Sequence, residues 1–134
     1  MAQASRPIQQ VPFRYTVPLQ TGVLLSEECP ITGKAVEVTM HWPDGCNALV
    51  GIALYYEGKR ICPIGKGEAS LMTDYLWLND ATPTWPLNMP VEKGKVFWLE
   101  ILNQDTVEAH TVSAIISITE EIRYEVAPLE PVKG

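Results

Sequence analysis

The chain alternates rather than winds, and that restricts it to sheet. From Thr111 to Thr119, Val112, Ala114, Ile116 and Ile118 share one parity, with Thr111, Ser113, Ser117 and Thr119 on the other. That is the period-two pattern of a half-buried strand. Only Ile115 breaks it, and an apolar residue on the outer parity marks a contact candidate. Lys34–His41 alternates in the same way, with Val36, Val38 and Met40 on one face, before Trp42-Pro43-Asp44-Gly45 stops it with turn residues. Leu49–Tyr56 is almost wholly apolar, as a strand covered on both faces should be. Glu57-Gly58 then reverses the chain into Lys59–Ile64, the strongest hairpin signal in the sequence.

Further strands are expected at Tyr75–Leu78, Thr82–Trp85 and Val96–Leu102, with Trp98 in the core. Pro83, Pro86 and Pro90 cannot donate to a ladder, so their stretch reads as an edge or a long loop. No window holds a 3.6-residue apolar period beyond two turns. About eight antiparallel strands, with turn signals roughly every eight to twelve residues, predict an all-β single sandwich or small barrel. Eight is the strand number of a jelly roll, and the pattern does not separate that topology from an immunoglobulin-like one. The expected division is an N-terminal arm over 1–12, a β-sandwich over 13–124 and a C-terminal arm over 125–134. Both arms carry proline, and Ile8, Val11, Val126, Leu129 and Val132 are their docking candidates. With Ile115 they form the predicted interface set.

Composition excludes several functions. With 134 residues there is one domain, and ten Lys+Arg against sixteen Asp+Glu give a formal charge of −6. Such a surface repels phosphate backbones, so no nucleic-acid partner is expected. No stretch approaches the ~18 apolar residues of a membrane span, so no membrane partner is expected either. The N-terminal residues lack the apolar core of a secretion signal. Cys29, Cys46 and Cys62 form an odd set without a C-x-x-C and read as small buried hydrophobes.

The search for chemistry finds no assembled site. His41, Asp44 and Cys46 are close in sequence and invite a Cys–His pairing, but strand and turn residues so spaced tend to diverge. His110, beside Asp105 and Glu108, is a candidate pH sensor set against a solvent-facing strand start. Zinc would need three or four converging ligands, and neither H-x-E nor paired cysteines are present. Asp74, Asn79, Asp80 and Asn103–Asp105 offer oxygen ligands without the spacing of a calcium loop. Gly65-Lys66-Gly67 lacks the length of a phosphate loop. Hence no catalytic residue, metal or cofactor is expected. Trp85, in Thr-Pro-Thr-Trp-Pro, is the candidate for stacking on a sugar ring, which makes a glycan the alternative partner.

The succession Trp42-Pro43-Asp44-Gly45, Glu57-Gly58, Pro63, Asn79-Asp80, Val91-Glu92-Lys93-Gly94 and His110-Thr111-Val112 resembles small single-jelly-roll structural proteins of viruses. Phage head and capsid-decoration proteins are the nearest comparison. The resemblance covers roughly residues 13–119, and no one motif in it is diagnostic. It implies a non-enzymatic virion component, made in the host cytoplasm, that forms homo-oligomers and contacts other structural proteins of a particle through sheet edges and arms. It carries no catalytic residues. A carbohydrate- or ligand-binding β-sandwich module, adhesin- or lectin-like, is the alternative.

Overall fold

A computed structural model describes residues 8–63 and 75–120. Nine strands and no helix occur among them: β1 (Ile8–Val17), β2 (Thr21–Glu28), β3 (Gly33–His41), β4 (Val50–Tyr56), β5 (Lys59–Cys62), β6 (Leu76–Trp77), β7 (Thr84–Val91), β8 (Val96–Asn103) and β9 (His110–Glu120). The predicted sandwich of about eight strands is thus present, with the two-residue β6 as an extra piece pairing with β4.

One sheet has the order β1-β9-β3-β7 and the other β2-β8-β4-β5. With β6 set aside, the first strand pairs with the last, the second with the next-to-last, and so inward to the β4–β5 hairpin. Every pairing is antiparallel. This is one long hairpin rolled up on itself, the strand order of a jelly roll, and it excludes the immunoglobulin-like alternative. At the tip of the hairpin Glu57 and Gly58 have φ of 48° and 84°. Two successive positive values twist the turn in the sense its strands require.

Alternation places the core between the sheets. Val38 and Met40 from β3, Ile52 and Leu54 from β4, Phe97, Leu99 and Ile101 from β8, and Ile116 and Ile118 from β9 are all fully buried. Trp42 closes one end, with its indole N–H donating to the Val50 carbonyl at 2.9 Å. Cys29, Cys46 and Cys62 are buried free thiols. Burial pushes the thiols of Cys46 and Cys62 up to about 11.

The expected N-terminal arm over 1–12 gives way to strand from Ile8 onward. Ile8–Pro12 pair with Thr119–Ile115 of β9, and Val11 is a core residue with 2% of its surface exposed. Pro12 fits because β1 is a sheet edge, where an N–H facing solvent is dispensable. Residues 1–7, 121–124 and the C-terminal arm, with Val126, Leu129 and Val132, lie outside the described residues.

Candidate functional site

The outer face of the second sheet carries a group of aromatic side chains around one carboxylate, Glu100. Along β8 the inward residues Phe97, Leu99 and Ile101 alternate with Trp98 and Glu100, which point away from the core. Trp98 is therefore half-buried on the outer face and not in the core as expected. Strand register sets its neighbours: Tyr55 of β4 and Ser26 of β2 lie opposite Trp98, while Ala53 and Leu24 lie opposite Glu100. Leu24, Tyr55, Gly58, Trp98 and Glu100 line a groove of about 280 Å³.

One carboxylate oxygen of Glu100, Oε1, accepts hydrogen bonds from the hydroxyls of Tyr55 at 3.1 Å and Tyr75 at 2.5 Å. Two phenols thus pin the carboxylate in place. Tyr75 also meets Trp77 edge-on, with ring centroids 5.9 Å apart. The groove accordingly offers an indole surface, an exposed leucine and an oriented anion. That set suits an extended apolar segment carrying a cation, since aromatic rings and a carboxylate both favour positive charge.

A second concavity, of about 720 Å³, lies on the outer side of the first sheet. Arg14, Ser113 and His41 follow one another across β1, β9 and β3, with Asp44, Glu108 and Ile115 at the margin. Ile115 stands between Pro12 and Thr39 on this face, half-buried, while Ile8 at the start of β1 is 64% exposed. The His41 Nδ1 is 2.7 Å from the Thr82 hydroxyl. Cys46 is fully buried with its thiol held protonated, so His41, Asp44 and Cys46 do not converge on a nucleophile.

His110, expected to face solvent, is buried at the edge of this concavity and 2.7 Å from Asp105. The Asp105 carboxylate also accepts backbone N–H bonds from Val107 and Glu108. The Asn103 amide donates to the carbonyls of Val17, Pro18 and Glu108. These bonds tie the β1–β2 and β8–β9 connections together, which is a structural task. Asp105, Glu108 and His110 place ligand atoms within 4.8 Å of one another, but the Asp105 oxygens are already taken by N–H donors. Asn79, named as a calcium candidate, instead accepts from the Asn47 backbone N–H.

The His110 hydrogen bond, followed by the Val107 N–H, holds the Asp105 carboxyl below its usual pKa. A folded-state value below the unfolded one adds stability above the unfolded pKa and loses it as pH falls through the folded value. Stability should therefore drop below about pH 4, the ordinary aspartate range. Asp105→Asn should make the drop shallower. Urea midpoints for both proteins at pH 6, 4 and 3 check this, and parallel pH profiles would exclude Asp105 as a source of the acid sensitivity.

Trp85, predicted to stack on a sugar, faces inward. In β7 Trp85, Leu87 and Met89 alternate toward the core while Thr84, Pro86, Asn88 and Pro90 are exposed. Its ring meets buried Trp42 edge-on, 6.3 Å between centroids at 79°.

The fold and these surfaces define an all-β jelly-roll sandwich. No protein-family model and no curated protein matches the chain. Among solved structures it is similar to the Yersinia pseudotuberculosis-derived mitogen, with 11% identity, a TM-score of 0.44, and coverage of 87% of this chain and 92% of that one. It is also similar to a chain of infectious bursal disease virus strain Gx, with 12% identity and a TM-score of 0.45, over 87% of this chain and 32% of that one. A third similarity is to a periplasmic inhibitor of g-type lysozyme from Aeromonas hydrophila, at 9% identity and a TM-score of 0.38, covering 89% and 93%. At such values none of these likenesses carries an argument about fold or role.

Proposed function

We propose that this chain is a non-enzymatic structural protein of a virus-type particle, a capsid or capsid-decoration component that acts by associating with copies of itself. The observation that carries this is the state of the sheet edges. Edge strands are sticky unless blocked. β7 is interrupted by Pro86 and Pro90, β1 by Pro12, and β5 is only four residues long. β2, eight residues from Thr21 to Glu28, contains no proline, and its Leu24 is 57% exposed.

Two β2 edges pair best antiparallel about a two-fold axis at Leu24. Leu24 of one copy then faces Leu24 of the other, while Glu27 faces Thr21 and so avoids its own like charge. A parallel pairing would stack Glu27 and Glu28 on themselves. The jelly-roll order supports the particle assignment, because capsid domains are one of its common uses, although the same order also serves lectins. Assembly in the host cytoplasm and incorporation into a virion follow from the same proposal.

Light scattering across a range of concentrations tests it. The unmodified protein should show a discrete oligomer, and Leu24→Lys should raise its dissociation constant by about tenfold or more, since a lysine is a natural edge blocker. A monomer at every concentration, or an oligomer indifferent to Leu24→Lys, would refute the β2 interface.

A further inference from the structure

Glu100 is an oriented charge without a counter-charge. Its Oε1 accepts from the hydroxyls of Tyr55 and Tyr75, and both donors are neutral. Among the described residues the ion pairs are Lys95–Glu57 and His110–Asp105, and neither includes Glu100. Arg60, opposite Tyr55 on β5, directs its Nε–H to the Pro63 carbonyl. Half-buried, the Glu100 carboxylate attracts a cation more strongly than one surrounded by water does.

The walls around it are mostly aromatic. Register sets Trp98 directly opposite Tyr55, two residues along β8 from Glu100 and on the same face. Side chains paired in this way have Cβ atoms about 4.5–5.5 Å apart. Leu24 closes the β2 side opposite Glu100, and Gly58 borders the groove without a side chain. Tyr75 reaches the same carboxylate oxygen from just before β6, steadied by its edge-on contact with Trp77. A cation entering this groove meets an anion, aromatic rings and one aliphatic side chain. Ring faces attract positive charge, and the attraction grows as water is excluded.

Two features select the kind of cation. The groove, at about 280 Å³, falls just below the roughly 300–1,000 Å³ of sites for drug-sized ligands, so it takes a compact head group. Its acceptors are also few. Oε1 of Glu100 already receives two O–H donors, and the Trp98 indole N–H can only donate. A primary ammonium brings three N–H donors, and those turned toward rings lose water without replacement. A quaternary ammonium brings none. Its charge is spread over methyl groups that pack on aromatic and aliphatic walls, as in aromatic cages.

We infer that the Leu24–Tyr55–Trp98–Glu100 groove binds a small quaternary ammonium compound, with Glu100 balancing its charge and Trp98 packing on its methyl groups. The site uses side chains on the sheet face, not the β2 backbone edge, and needs no second copy.

The test is a titration of the full chain with choline, read by the Trp98 indole N–H resonance in NMR spectra and assigned with Trp98→Phe. Choline should move that resonance saturably. Two analogues should each bind about tenfold more weakly or worse: ethanolamine, a primary ammonium, and the neutral alcohol in which carbon replaces the choline nitrogen. Glu100→Gln keeps an acceptor for both hydroxyls but removes the charge, and should weaken choline binding about fivefold or more. Binding to the Trp98 variants is read from the choline methyl protons. Trp98→Phe should retain part of the affinity and Trp98→Leu less, a ranking by ring that a merely structural loss would not produce. Urea midpoints confirm that each variant is folded. Four results would each overturn the inference: no saturable shift at Trp98, equal binding of the neutral alcohol (an apolar slot), equal binding of ethanolamine (a plain ion pair), or undiminished affinity in folded Glu100→Gln. Light scattering on the same samples reports the β2 association separately, so the two failures stay distinct.

Discussion

Gly33→Ala is expected to cost about 3 kcal/mol, the upper part of the usual range for forcing extra atoms into a packed site. Gly33 opens β3 and lies between Glu120 of β9 and Val91 of β7. A Cβ there would stand 2.0 Å from the Thr119 carbonyl oxygen and 2.9 Å from its carbon. Both obstacles are backbone, held by pairing to β1 as well as β3, so no side chain can swing aside. Relief requires the end of β9 to peel away, which takes the Ile8 end of β1 with it. The urea midpoint of the variant measures the loss. A change below about 1 kcal/mol would show that the three strands are less tightly joined there than their register implies.

Trp42→Ala should cost about 4 kcal/mol, in the range for deleting a buried aromatic ring. Trp42 is completely buried just beyond β3, where its backbone bridges to Ala81 and its ring receives the edge of Trp85. Truncation leaves a cavity and removes the donor to the Val50 carbonyl. Trp42→Phe separates the two contributions, because it keeps most of the bulk and loses the hydrogen bond at a cost of about 1–2 kcal/mol. Equal losses for the two variants in chemical denaturation would mean that the hydrogen bond dominates and the cavity closes by relaxation.

The strands that were legible are those whose two faces differ in chemistry. β9 alternates apolar with Ser and Thr, and the β4–β5 hairpin is announced by Glu57-Gly58. β2 escaped because Leu24 points outward between the inward Val23 and Leu25, so three successive apolar residues hide the period. Trp98 reads as core for the same reason, since both parities of β8 are apolar; Glu100, two residues on, shares its parity and is the signal that marks the outer face. His110 shares the parity of Val112, Ala114 and Ile116, so its burial could have been read from the alternation that identified β9. The prolines around Trp85 read as surface, but a sheet edge tolerates proline on its exposed parity while the other parity packs inward. The groove around Glu100 was not legible at all, because Leu24, Tyr55 and Trp98 come from strands distant in the chain and only register brings them together. Of the predicted interface residues, Ile8 is exposed and Ile115 half-buried on the first sheet, while Val11 is in the core.

The uneven treatment of the edges has a consequence for how growth ends. A sheet with two receptive edges adds copies without limit and becomes a fibre. Among the described strands this molecule keeps β2 open and interrupts or shortens the rest. If two β2 strands meet as proposed, each far margin of the joined sheet consists of β5 with the two-residue β6 beside it on β4. Both described pieces are short, four and two residues, and poor templates for a third copy. Under the proposed β2 pairing, backbone pairing through the described strands would stop at two copies, and a larger shell would be closed by contacts between side chains on the faces.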